Sequence, residues 1–140
     1  MSAGRARPVT VFVADDDGHF RRALHGLIEA TPGFRLLGEA GCGEDALGPV
    51  ALLRPDLVLM DVRMPGIGGV EAARTLLSRS PELAVVLMSA QALPPPSGIA
   101  TEGPRVLFVR KETLCRDLLL DLWRGRRTRS GPNWVVVRLG

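Results

Sequence analysis

At 140 residues the chain is long enough for one domain with a full core and too short for two comfortable ones. Its apolar content of 46% is ordinary for a globular protein, and no apolar run is long enough to span a bilayer. The net charge of +3 divides unevenly: residues 1–123 hold 13 Arg or Lys against 15 Asp or Glu, whereas residues 124–140 hold five Arg and no acid. The basicity therefore belongs to a tail. Without aromatic residues interleaved, Arg124 to Arg129 reads as a solvated linker rather than a nucleic-acid grip.

Residues 1–7 read as an arm without the apolar core of a signal peptide, and a cytoplasmic protein is expected. Cys42 and Cys115 show no metal-ligand spacing and are expected to be reduced thiols.

Val9 to Ala14 is β-rich and apolar, and it runs into Asp15-Asp16-Asp17-Gly18. Phe20, Leu24, Leu27 and Ile28 follow at helical spacing, closing near Thr31-Pro32-Gly33. Phe34 to Ala40 predicts a less apolar strand, plausibly an edge. Ala46, Leu47, Val50 and Leu53 predict a short helix whose start Gly48-Pro49 weakens or delays. Leu57 to Met60 is an unbroken apolar run, expected as a strand buried on both faces and ending at Asp61. Pro65-Gly66 turn the chain, and Val70, Ala73, Leu76 and Leu77 mark a third helix.

Leu83 to Met88 predicts a fourth strand, ending at Ser89. Residues 91–104 carry Pro94-Pro95-Pro96, Gly98, Gly103 and Pro104, which predicts an irregular segment with a degenerate fourth helix. Arg105 to Val109 predicts a fifth strand, ending at Arg110-Lys111. Leu114, Leu118 and Leu122 mark a closing helix. Five strands alternating with helical patterns imply an α/β fold with a parallel sheet. Residues 125–140 are expected as a basic and apolar tail or linker, in which Trp134 to Val137 either adds a strand, docks on a partner or stays disordered.

In such a sheet the carboxyl ends of the strands gather ligands and chemistry. The residues at those ends are Asp15 and Asp16, Asp61, Ser89, and Lys111, the sole lysine beside seventeen arginines. Singly, each has a bland reading as a turn residue, a helix cap or a surface charge. Together they would put three carboxylates, a hydroxyl and an ammonium in one shallow pocket. Three close carboxylates repel unless a cation is present, and oxygen ligands suit Mg²⁺. A carboxylate beside such an ion, an ammonium and a hydroxyl is equipped to attack a phosphoryl group.

These residues resemble the receiver domain of two-component response regulators. The matching pieces are Val13-Ala14-Asp15-Asp16-Asp17, Pro55 to Pro65 with Gly69, Leu87-Met88-Ser89-Ala90 and Phe108-Val109-Arg110-Lys111. The resemblance covers residues 8–124 and is nearest in wording to receivers of helix-turn-helix regulators of the NarL/LuxR type. It implies a flavodoxin-like, doubly wound five-stranded sheet in the order 2-1-3-4-5. It implies Asp61 as phosphoacceptor and Mg²⁺ held by Asp15, Asp16, Asp61 and the backbone carbonyl of Arg63. Ser89 would be the switch hydroxyl, Phe108 the switch aromatic and Lys111 the phosphate-sensing lysine.

The partners it implies are a histidine kinase, with a homodimer left open, and DNA only through an output domain absent from this chain. Gly68 stands where such receivers often carry an acid. Phe108 lacks the hydroxyl of the commoner Tyr, and the Pro-rich segment replaces most of one helix. Two alternatives remain: a stand-alone receiver or pseudo-receiver acting by protein contact, and an aspartyl-phosphate hydrolase. The latter wants an acid two residues after its nucleophile, where this chain has Arg63. A flavodoxin-like nucleotide-binding module is disfavoured by three acids after the first strand. His19 and His25 have no partner in the sequence and read as ordinary helix residues.

Overall fold

Strand β3, Leu57–Asp61, is the centre of the molecule: all five of its residues are buried. The computed structural model describes residues 7–91, 103–126 and 134–139. Around β3 lie β1 (Val9–Ala14), β2 (Phe34–Ala40), β4 (Ala84–Ser89), β5 (Arg105–Arg110) and β6 (Trp134–Arg138). The helices are α1 (Gly18–Ala30), α2 (Gly43–Leu53), α3 (Gly68–Arg79) and α4 (Arg116–Gly125), with a single 3₁₀ turn at Lys111–Thr113.

The sheet runs β2-β1-β3-β4-β5-β6, and every pairing from β2 to β5 is parallel. An apolar layer from α1 and α4 (Leu24, Ile28, Leu118, Leu119, Leu122) covers one face. A layer from α2 and α3 (Ala46, Val50, Ala72, Ala73, Leu76, Leu77) covers the other. Two covered faces explain why β3 and β4 read as continuous rather than alternating apolar runs.

The sheet has six strands rather than the expected five. β6 pairs antiparallel with β5, with Phe108 opposite Val135 and Val109 opposite Trp134. Residues 134–138, expected within a tail or linker, thus belong to the sheet. The physical reason is an open edge on β5 and a β-branched Val135-Val136-Val137 run that fits it. Val137 and Leu139 are buried with Phe108 in one apolar cluster, and Trp134 is buried in the other.

Helix α2 also departs from expectation, starting at Gly43 and running through Pro49. Burial of Ala46 and Val50 outweighs the lost backbone donor, and Glu44 and Asp45 suit the positive end of the helix. The degenerate helix expected around the Pro-rich segment falls on residues 92–102, outside the described residues.

Candidate functional site

Parallel register brings the strand ends together. Ala14 pairs with Met60 and Asp61 with Met88, so Asp15, Asp61 and Ser89 leave adjacent strands at one level. Asp15 continues the ladder, its amide donating to the Ala40 carbonyl at 3.0 Å. Its Oδ1 accepts from the Asp17 amide at 2.9 Å, and Asp17 in turn caps α1 by accepting from the amides of His19 and Phe20. This double turn sends Asp15 inward, where it is fully buried, and leaves Asp16 exposed.

Asp15, Asp16 and Asp61 each offer a carboxylate oxygen within 4.8 Å of the others. Lys111, from the turn after β5, reaches in with Nζ 2.7 Å from Asp15 Oδ2 and 3.5 Å from Asp61 Oδ2. Its ammonium also lies 4.5 Å from the centroid of the Phe20 ring. Asp61 Oδ1 accepts one long hydrogen bond, 3.3 Å, from the Arg63 amide.

Asp61 is the under-supported member. Burial pushes its pKa up, the charge of Asp15 pushes it further, and Lys111 and the Arg63 amide offset only part, leaving it at about 6. For Lys111 burial works against the charged form, but the hydrogen bond and charge of Asp15, then Asp61, outweigh it and raise its pKa. Asp15 Oδ2 is buried, with the Lys111 ammonium 2.7 Å away as its partner. Three carboxylate oxygens within 4.8 Å of one another, with a single ammonium to balance them and one of the three destabilised as an anion, fit a hard divalent cation.

The loop after β3 is tightly specified. The Gly69 amide donates to the Val62 carbonyl at 3.0 Å, and a Cβ on Gly69 would collide with the Asp61 carbonyl. Glu44 Oε1 accepts from the Ile67 amide at 2.6 Å, tying the loop to the first turn of α2. Gly66 adopts a positive φ of 84° beside that carboxylate.

The structure therefore brings Asp15, Asp16, Asp61 and Lys111 into one cluster. Ser89 stands at the end of the neighbouring strand, its Oγ accepting from the Gln91 amide at 3.0 Å. Phe108 pairs with Leu87 across β4 and β5 and is buried in the apolar layer under α2 and α3. Arg63 sends its guanidinium outward to Gln91 Oε1 at 3.0 Å.

Three residues escaped the sequence reading. Arg21 donates to the Asp15 carbonyl and to Glu39, and Glu39 also pairs with His25, which sequence alone left without a partner. No sequence signal marks this chain of contacts, because Glu39 is 18 residues from Arg21 and 14 from His25.

Cavities of about 360 and 480 Å³ lie at the opposite end of the sheet, around Asp56, Leu83 and Arg126. There the Asp56 carboxylate is already paired with Arg7.

The sequence matches the response regulator receiver domain family over residues 11–119. It is 43% identical over 81 residues to the response regulator GacA of Pseudomonas aeruginosa, covering 58% of this chain and 38% of that protein. It is 41% identical over 81 residues to the DNA-binding transcriptional activator DevR/DosR of Mycobacterium tuberculosis, covering 58% and 37%. The match thus spans under two fifths of the length of these relatives. Among solved structures, the receiver domain of the response regulator NarL from Mycobacterium tuberculosis superposes with a TM-score of 0.70 at 27% identity, covering 86% of this chain and 99% of that one. Parallel order, acid cluster, half-buried lysine and sequence match agree, and the chain belongs to the receiver domain family of two-component response regulators.

Proposed function

We propose that the chain is a phosphoacceptor switch, phosphorylated on Asp61 by a histidine kinase in a Mg²⁺-dependent reaction. The observation that carries this is Asp61 itself: buried, with a pKa near 6, inside a cluster of two further carboxylates and one ammonium. At neutral pH Asp61 is ionised and poorly stabilised, which suits a nucleophile. An Asp61 oxygen attacks phosphorus as the bond from phosphorus to the kinase histidine breaks. The lone pair stays on the departing nitrogen.

Asp15, Asp16, Asp61 and the Arg63 carbonyl would hold the metal, which supplies charge neutralisation at the phosphoryl oxygens. Lys111, 3.5 Å from Asp61, balances charge from the opposite side. Ser89 turns its hydroxyl to a phosphoryl oxygen, and Phe108 follows as the switch aromatic. The switching unit is residues 8–124, with residues 1–7 an arm and residues 125–140 a basic and apolar tail from which Trp134–Arg138 supplies β6.

The chain acts as a cytoplasmic signalling domain rather than an enzyme. Among the described residues no helix is long and apolar enough to cross a membrane. Output is transcriptional, through a DNA-binding domain outside this chain. Since β6 fills the outer edge of β5, a homodimer would meet through helical faces rather than by strand pairing at β5. The hydrolase reading lacks a general acid, because Arg63 points its guanidinium at Gln91.

The test is incubation with acetyl phosphate with and without Mg²⁺, with the adduct mapped by mass spectrometry. Labelling of Asp61 only with Mg²⁺ is expected; a label on another residue in Asp61→Asn would overturn the assignment.

A further inference from the structure

The turn that carries Asp15 and Asp16 has its backbone pinned at three points. The Asp15 amide is held by Ala40, and the Asp15 side chain by the Asp17 amide. The third point is the Asp15 carbonyl, which accepts from Arg21 Nη1 at 2.5 Å. That carbonyl belongs to the peptide joining Asp15 to Asp16, so its direction sets where both carboxylates point. Arg21 is itself braced. Its Nε donates to Glu39 Oε1 at 3.0 Å, and the other oxygen of Glu39 meets His25 Nε2. α1, β2 and the acidic turn are thereby tied through one guanidinium.

We propose that Arg21, held by Glu39 and His25, is a positioning residue that sets the Mg²⁺ affinity of the Asp15–Asp16–Asp61 cluster. This rests on the reading of that cluster as a Mg²⁺ site.

Charge and geometry make opposite predictions for Arg21. An uncompensated cation near three carboxylates competes with a metal, so removing it would tighten binding. Arg21 is compensated. Burial works against the Glu39 carboxylate, yet hydrogen bonds from Arg21 and His25 outweigh it and hold its pKa below the usual range. With its charge matched by Glu39, what Arg21 contributes is the fixed direction of the Asp15 carbonyl. Removing a group that orients metal ligands typically weakens metal binding by about 10- to 100-fold.

The test is calorimetric titration of MgCl₂ into the full chain and its variants, beside the Mg²⁺ dependence of labelling by acetyl phosphate. Arg21→Met keeps the side-chain stem and removes the donors. We expect it to raise the Mg²⁺ dissociation constant about tenfold, with the metal-free melting midpoint close to that of the parent. The labelling rate at saturating Mg²⁺ should stay within about twofold, while the half-saturating Mg²⁺ rises by the calorimetric factor. Arg21→Lys, with one ammonium to donate, should recover most of the affinity. Glu39→Gln, which loosens the brace without touching the turn, should weaken binding severalfold and serves if Arg21→Met fails to fold.

Unchanged or tighter Mg²⁺ binding in Arg21→Met, or in Glu39→Gln where that variant stands in, overturns the proposal. So does an equal fall in affinity and saturated rate, or no recovery in Arg21→Lys. A parent that binds no Mg²⁺ overturns the metal reading instead, and the two failures are distinguished by the parent titration alone.

Discussion

Asp56 and Asp61 stand at the two ends of one strand, and the fold treats them in opposite ways. Asp56, just before β3, accepts from the Thr10 amide and hydroxyl, each at 2.9 Å, and from Arg7 at 2.6 and 3.1 Å. Burial would raise its pKa, but those partners outweigh it and hold it below the usual range. Asp61 has one long hydrogen bond, an ammonium at 3.5 Å and a carboxylate neighbour, and its pKa rises to about 6. Both are aspartates at a strand end in contact with a cation. The difference lies in how completely the anion is satisfied: the saturated one is structural, and the unsatisfied one holds reactivity in reserve.

The sharpest break of that comparison is substitution. Asp61→Asn should lower labelling by acetyl phosphate at least about 100-fold, whereas Asp56→Asn should leave it within about twofold. Equal losses in the two variants would dissolve the distinction.

Titration separates them by sign. Asp61 has a folded pKa raised above its unfolded value, so the folded state binds more protons between about pH 4 and 6. Stability from this group is therefore present below that window and declines as pH rises through it, by about 3 kcal/mol in all. Asp56 has a lowered folded pKa, so its contribution is present above its unfolded value and is lost as pH falls through the folded one. Denaturant unfolding between pH 4 and 7 should show the Asp61 decline in the parent and a flattened profile in Asp61→Asn. A parent profile without that decline would show that Asp61 is not destabilised.

Metal sharpens the contrast further. Mg²⁺ at 100 times its dissociation constant should stabilise the fold by about 2.7 kcal/mol, read as a rise in melting midpoint. Asp16→Ala should remove most of that rise; Asp56→Ala should keep it from a lower baseline, having lost roughly 1–3 kcal/mol with its hydrogen bonds to Thr10. A Mg²⁺ response that survives in Asp16→Ala would place the ion elsewhere.

The smallest effect concerns Lys111. Replacing its compact ammonium by a planar fork keeps the charge, so labelling of Lys111→Arg should fall by no more than a few-fold. The conformational response to phosphorylation, followed by hydrogen exchange over β5, should be lost. A parent-like response would show that any cation suffices at this position.

Much of this was legible in the residues. Leu57 to Met60 fitted a doubly covered strand, because a short unbroken apolar run bounded by turn residues suits neither a half-exposed sheet nor a polar loop. The acids at Asp15, Asp16 and Asp61 could be placed together because parallel strands align their carboxyl ends whatever the loops between them do. Lys111 stood out in composition before it stood out in space. Pro49 misled, because a local preference against helix was overridden by burial of Ala46 and Val50 on either side of it. Trp134 to Val137 could be named as a possible strand but not assigned, since its pairing partner is 25 or more residues away and strand pairing carries no local signature.

By itself the sequence determined the alternation of strands and helices, the strand-end residues and the family, because period, turn chemistry and acidic spacing are local properties. Only the tertiary structure decided that Asp61 is left under-satisfied while Asp56 is saturated, that Arg21 grips the Asp15 carbonyl with Glu39 behind it, and that β6 closes the edge of β5. Each of these depends on distances between residues far apart in the chain, and desolvation, hydrogen-bond saturation and edge pairing have no value until the chain has folded.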